Sequence, residues 1–515
     1  MDSSPVTASI HIIDNDSLLN VFYLYRPFLL GEDDDNEDNR AFGGVGQWDR
    51  GHWWYKIAHV CRRWRNVVLG SAAYLGVSLV CTNGTPVTDM LAYSPPLPLV
   101  IDYSLDEDSD ITTEDEEGAI LALKQYNRVR HVRLIMPATS LQKLIVAMDD
   151  EYPILRYLII WNPAEGNLDQ IPTLIFPEAL QAPHLCHLLQ IGFALPIGSR
   201  LLMSAVGLVT LGLFMVHPST YFQPDTLLHW LSFMPQLETL LISFDVPNRE
   251  VEWQQWLLAH TPIPTPDALP NLLVFKFKGV TSYLEAIVHR ITAPRLEKLE
   301  LDFFNQLMYS VPCLLRFVST AENLRFKSAK FTFNDKKVYV DVYPHEDARM
   351  CALSIDLKSW HLDWQVSSAA QIFNSLSTVF FAVEHLALEH WVHSRSSEEH
   401  NEADRTEWRK LLNSFRNVKT LRVAEGLVEE LTRCLELDDE EPLLGMFPEL
   451  QELTYSGSGN TGGAFSSFIN ARRNAGRPVT LLRRSPSPDS SSRASSLEPP
   501  SIISASGEAG SDLDT

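Results

Sequence analysis

One short hydrophobic phrase recurs along this chain. A loop, often with a proline, leads into apolar residues at alternate positions. Clear copies begin at Arg128 (RVRHVRLIM), Ile154 (ILRYLII), His184 (HLCHLLQI), Gly207 (GLVTLGLF), Gln236 (QLETLLISF) and Asn271 (NLLVFKFKG). They continue at Arg295 (RLEKLELDFF), Asn323 (NLRFKSAKFTF), Val383 (VEHLALEH), Asn417 (NVKTLRVAE) and Glu449 (ELQELTYSG), with a weaker copy at Cys351 (CALSIDL). Alternation puts pairs such as Leu299 and Leu301 on one face of a strand. The segments between carry helical spacing instead, as in 225–232 (DTLLHWLS), 282–289 (SYLEAIVH) and 406–415 (TEWRKLLNSF). The pattern predicts a strand and then a helix, over and over.

The core of the phrase reads L-x-x-L-x-L, and one strand plus one helix at short period is the leucine-rich-repeat signature. Here successive copies lie 23 to 35 residues apart, and the usual Asn or Cys at the turn is missing. The expected fold is therefore α/β. It comprises a small N-terminal helical module, an irregular leucine-rich-repeat-like solenoid over 81–482, and a disordered tail. Each repeat buries its apolar face only against its neighbours, so the body is expected to be one cooperative unit. A doubly wound α/β domain has a similar alternation and is the competing architecture. The tail, 483–515, has eleven serines and four prolines after position 484 and too few aliphatics to form a core.

Residues 10–80 differ from the repeats. Positions 14–25 (DNDSLLNVFYLY) predict a helix capped by Asp14 or Asn15, with Leu18, Val21, Phe22 and Tyr25 on one face. An acidic, Gly-containing insertion occupies 31–50. Then 53–69 (WWYKIAHVCRRWRNVVL) predicts a second helical region that places Ile57, Val60, Cys61, Trp64 and Val68 on a shared face and stops at Gly70.

The hexapeptide Val60-Cys61-Arg62-Arg63-Trp64-Arg65, after an apolar helix and ahead of leucine-rich repeats, resembles the F-box of fungal F-box-like proteins. The 74–79 segment (YLGVSL) and the later 95–101 stretch (PPLPLVI) are similar to how that family passes into its repeats. Two features depart from the family. Ile13-Asp14 stands where Leu-Pro usually opens the motif, and the connector is longer. The resemblance implies a substrate-recognition subunit of a Skp–cullin–F-box-type ubiquitin ligase. Ile13, Leu18, Leu19, Phe22, Ile57, Val60, Cys61, Trp64 and Val68 would form the F-box core and the face that docks the Skp-type adaptor and, through it, a cullin. The solenoid would hold a target protein. Such a subunit is not an enzyme and needs no cofactor. The alternative is a repeat scaffold whose N-terminal helices only cap the first repeat.

Charge narrows the partners further. The net charge is -23, concentrated in acidic runs at 31–40, 102–117 and 436–441. An acidic chain argues against a nucleic-acid backbone as partner. The six cysteines are scattered with no CxxC, which points away from a zinc finger and toward a reducing compartment, cytoplasmic or nuclear. The apolar stretch 201–216 falls short of the about 20 residues of a spanning helix, and it reads as a buried helix end followed by a strand. Two chemical motifs rank low. The loop Gly457–Gly463 fits G-x-G-x-x-G without a Rossmann domain around it. His385, His390, His393 and His400 lie near Glu384, Glu389, Glu398 and Glu399 but lack metal-ligand spacing, so no metal is expected.

Overall fold

The computed structural model describes residues 13–25, 53–105, 111–163, 174–193, 199–216, 222–245, 267–306, 308–391, 405–436, 446–456 and 463–484. The acidic insertion, the Ser/Pro-rich tail beyond 484, most of the glycine loop, and His393, His400, Glu398 and Glu399 lie outside these residues.

The described chain is mixed α/β. Sixteen strands form one mostly parallel sheet that does not close into a barrel. Four helices come first: α1 (Asn15–Tyr25), α2 (Trp53–Ala58), α3 (Arg62–Gly70) and α4 (Ala72–Leu75). The sheet then begins with β1 (Leu79–Cys81), α5 (Val87–Tyr93), β2 (Leu99–Ser104), α6 (Thr113–Leu123), β3 (Val129–Ile135) and α7 (Ala138–Val146). It continues through β4 (Tyr157–Trp161), β5 (His187–Ile191), α8 (Arg200–Ser204), β6 (Thr210–Val216), α9 (Pro224–Leu231) and β7 (Thr239–Phe244). A two-residue strand β8 (Asp267–Ala268) pairs outside the main sheet with β10 (Ile291–Thr292). Between them lie β9 (Val274–Gly279) and α10 (Thr281–Val288).

The chain goes on with β11 (Lys298–Phe303), α11 (Pro312–Thr320), β12 (Ser328–Asn334), β13 (Lys337–Tyr343) and β14 (Leu353–Lys358). After these come α12 (Leu362–Ser375), α13 (Ser377–Phe380), β15 (His385–Trp391), α14 (Arg405–Leu412), β16 (Thr420–Val423) and α15 (Val428–Leu435). The last elements are β17 (Glu452–Ser456), α16 (Ser466–Asn474) and β18 (Thr480–Arg484).

The L-x-x-L-x-L phrase has a direct structural meaning. Its first apolar residue closes a turn by donating its amide three residues back. Leu185 bonds the Ala182 carbonyl, Leu237 that of Met234, Leu272 that of Leu269, Leu296 that of Ala293, and Leu450 that of Phe447. The next two apolar residues lie on the strand and point into the core, as Leu299 and Leu301 do in β11. The helices cover that buried face. Phe275 of β9 meets Phe317 of α11, Phe331 of β12 meets Phe373 of α12, and Phe333 meets Trp408 of α14. The alternate strand positions form the opposite face. The stretch 201–216 divides into α8 and β6, as expected, and no helix among the described residues is long and apolar enough to cross a membrane.

The strands do not all follow chain order. The sequence places the copies at 295, 323, 351 and 383 side by side. In the sheet the order is β11-β14-β13-β12-β15, and β13 runs antiparallel to both its neighbours. The Asn334 side chain accepts from the amides of Lys336 and Lys337, each at 2.9 Å, and so closes a hairpin into β13. The fourteen-residue α12 then carries the chain from β14 to β15, touching β14, β13 and β12.

The N-terminal helices also differ from expectation. The predicted second helix is two helices, broken at 59–61. Cys61 has extended backbone and caps α3, its sulfur accepting from the Trp64 amide at 3.5 Å. The break rotates Val60 off the shared face, so it is exposed, whereas Ile57 and Val68 are buried. The helix ends at Gly70 as expected, with Ser71 as its cap; a further short helix, α4, then follows and is closed by Gly76 at a φ of 64°. On α1, Leu18 and Phe22 are buried but Val21 and Tyr25 are exposed, a narrower stripe than predicted.

Candidate docking surfaces

The N-terminal helices are built around Leu18, Phe22, Trp54, Ile57 and Val68. Asp14 caps α1, taking the Ser17 amide and hydroxyl at 2.8 Å each. This bonding holds its carboxyl below the usual range. Phe22 meets Trp64 edge to face, with centroids 5.0 Å apart. Arg63 crosses from α3 to α1, donating to the Asn15 side chain at 3.0 Å and to the Ile13 carbonyl. Of the predicted residues, Leu18, Phe22, Ile57 and Val68 are core. Leu19, Cys61 and Trp64 are half-buried, and Ile13 and Val60 are exposed. The predicted residues thus divide between a core and a surface.

That surface is apolar. Twenty large hydrophobic side chains are exposed among the described residues, and seven belong to this small module: Ile13, Val21, Tyr23, Leu24, Tyr25, Val60 and Tyr74. Tyr23 and Tyr74 lie together, with centroids 5.2 Å apart. The sequence reading left out Tyr23, Leu24 and Tyr74: Tyr23 and Leu24 lie off the predicted face of α1, and exposure depends on neighbours that helical periodicity does not register. A polar groove of about 660 Å³ runs between α1 and α3, lined by Asn15, Asp16, Arg62, Arg63 and Asn66 among others.

The sheet face away from the helices is the second surface. From β9 to β15 it is a ladder of charges. Glu300 binds Lys276 and Lys298, each at 2.8 Å. Lys337 binds Asp356 at 2.6 Å, Lys330 binds Glu389 at 2.9 Å, and Lys358 lies 3.6 Å from Asp302. Asp302 and Asp356 are register partners on β11 and β14. Burial pushes the Asp356 carboxyl up to about 6 against the pull of Lys337, and Asp302 adds to the rise. From β3 to β5 the same face carries a row of rings, His131 edge to face on Tyr157 and Tyr157 stacked on His187. Tyr157 lies between His131 and His187, at 4.6 and 4.3 Å. Burial drives His131 down to about 3, helped by Arg130 and Arg156.

Three other groupings stand apart from these surfaces. His385 and Glu384 of the predicted cluster are engaged structurally. His385 bonds the Thr420 hydroxyl at 2.7 Å, and Glu384 bridges Lys327 and Lys419 at 2.6 and 2.7 Å. The glycine loop lies between β17 and α16 in the chain, and β18 follows, pairing in parallel with β17. Of the loop's glycines, only Gly463 is among the described residues. Cys313 approaches the His289 ring at 3.4 Å, but burial and Glu285 raise its thiol and so disfavour a nucleophilic thiolate. No known protein family model matches the chain, and no curated protein matches its sequence.

Proposed function

We propose that this protein is a substrate-recognition subunit of a Skp–cullin–F-box-type ubiquitin ligase. The N-terminal helices dock a Skp-type adaptor, and the repeat body, a solenoid of strand-and-helix units, holds the target protein. The observation that carries the reading is the exposure of Val60 at the turn of the V-C-R-x-W-R motif, among N-terminal helices that hold seven of the twenty large hydrophobic side chains exposed among the described residues. A patch of this kind on a small bundle marks a protein interface. The protein performs no chemistry; it raises the target's effective concentration near the catalytic subunits.

The test is co-purification of the full chain with a Skp-type adaptor, and again with Val60→Asp. Wild-type binding that the charge at position 60 abolishes supports the reading. Failure of the folded wild-type chain to bind, or binding indifferent to Val60→Asp, overturns it. One observation favours a second reading, a scaffold outside any ligase. The helices also close the first edge of the sheet, since Trp54 bonds the Ser78 carbonyl and Leu75 and Val77 are buried beside β1. A folded chain with no adaptor affinity is the outcome that reading expects.

A further inference from the structure

The two ends of the sixteen-stranded sheet are finished differently. At the first end, Leu79 and Cys81 of β1 are fully buried, and the Trp54 indole of α2 donates to the Ser78 carbonyl just before the strand. At the last end, all five residues of β18 are exposed, and the sheet has no strand beyond it among the described residues. Leu481 is the register partner of the buried Leu453, so it continues the core row, yet it is 37 % exposed. Leu482 is the partner of Thr454 on the opposite face and is 44 % exposed. The Thr480 amide donates to the Gln451 carbonyl at 2.8 Å. In a parallel strand alternate residues bond to opposite sides, so the Leu481 amide and carbonyl point to the outer edge. An open edge with apolar side chains is a template for another strand.

The charge at this end is distinct as well. Residues 463–484 contain Arg472, Arg473, Arg477, Arg483 and Arg484 and no Asp or Glu, in a chain of net charge -23. Arg472 is buried, its guanidinium donating to the carbonyls of Phe447, Pro448 and Leu450, and Arg477 binds Glu449 at 3.1 Å. Arg473 and Arg484 are exposed. We propose that β18 is an acceptor edge for an extended acidic segment of a partner protein, which adds to the sheet as a further strand. Main-chain bonds at Leu481 supply the pairing, apolar side chains of the segment cover Leu481 and Leu482, and its carboxylates meet the arginines. The inference concerns the end of the sheet opposite the proposed adaptor surface and stands whether or not that reading does.

The probe is a synthetic peptide of about ten residues, long enough for a strand and its flanks. It carries Val-Ile-Val followed by Asp-Glu-Asp, and its control has Asn and Gln in place of the acids. Binding to the full chain is followed by fluorescence anisotropy, and hydrogen exchange is read over 480–484. The acidic peptide is expected to bind at least about tenfold more tightly than the control, a difference set by charge pairing. It should also slow exchange at the Leu481 amide. Arg473→Glu with Arg484→Glu should weaken binding about tenfold. Leu481→Pro removes the outward amide and should abolish binding while circular dichroism stays unchanged. If the proline variant fails to fold, exchange in the wild type still decides. Unchanged exchange at 480–484, or equal affinity for the control peptide, overturns the proposal. Arginine-dependent binding without slowed exchange would identify a polyanion such as RNA instead. Concentration-dependent dimerisation through β18 would identify a second copy as the occupant, and it too overturns the proposal.

Discussion

The Trp54 indole donates to the Ser78 carbonyl at 3.0 Å, both groups buried, and so fastens α2 to the entry of β1. Trp54→Phe keeps most of the ring but leaves that carbonyl buried and unpaired, at a cost of about 1–3 kcal/mol. Urea unfolding should register the loss, with faster hydrogen exchange in β1. Val60→Asp, at an exposed position, should change stability by no more than about 0.5 kcal/mol. A Trp54→Phe protein as stable as wild type would show that the module is not fastened there.

Phe22 and Trp64 join α1 to α3 edge to face. A double-mutant cycle of Phe22→Leu and Trp64→Leu should give a coupling of about 0.5–1.5 kcal/mol beyond the area each ring buries. Trp64 is thus a packing residue, and an adaptor assay on Trp64→Ala alone would mix folding with docking. A coupling near zero would return Trp64 to the docking face that the sequence suggested.

His131 makes the fold acid-sensitive. Its folded pKa is down at about 3, because burial and the neighbouring cations disfavour the imidazolium. The unfolded chain titrates near 6.5 and therefore binds more protons in between. Stability is full above about 6.5 and is lost as pH falls toward 3, approaching about 1.4 kcal/mol per unit. His131→Phe keeps a ring against Tyr157 and should flatten that part of the pH profile. An unchanged slope between pH 6 and 4, as urea midpoints would reveal, removes His131 as the cause.

Asp356 acts with the opposite sign. Its folded pKa, about 6, lies above the usual 3.8. The folded state then holds the proton more tightly, so this group's contribution is present below about 3.8 and is lost as pH rises through 6. Asp356→Asn should gain on the wild type as pH climbs from 4 to 7. Lys337 loses its 2.6 Å partner in that variant, so the informative quantity is the slope of the difference and not its value at one pH. A difference that is flat across the window would contradict the raised carboxyl.

Arg472 holds the end of the last repeat from inside, with its guanidinium spread over three carbonyls at 2.9, 3.1 and 3.2 Å. Arg472→Met fills a similar volume and leaves those carbonyls without their donor, at roughly 1–3 kcal/mol for each one that stays buried. Exchange should accelerate around 447–450 and in α16 before the rest of the sheet. Uniform loss across the chain would mean instead that the last repeat unfolds together with the whole body.

Much of this architecture is written in local periodicity. L-x-L spacing fixes which strand residues turn inward, and the leading leucine fixes the turn before each strand, so eleven of the phrases can be read directly as strand entries. The helices at 225–232, 282–289 and 406–415 are legible for the same reason: a 3.6-residue stripe needs only its own neighbours to be recognised. KVYVDVY at 337–343 alternates just as cleanly, yet its direction and its place between β12 and β14 depend on the Asn334 turn and on partners distant in sequence.

The sequence by itself determined the strand and helix units, most of the inward strand residues and the helical character of the N-terminal segment. Tertiary structure alone decided the strand order around β13, the break at 59–61 that turns Val60 outward, the burial that separates the pKa values of His131 and Asp356, and the contrast between a buried β1 and an exposed β18. The division has a physical reason. Side-chain direction along an element follows from backbone geometry within a few residues. Exposure, charge environment and edge pairing are sums over neighbours that the chain brings together only on folding.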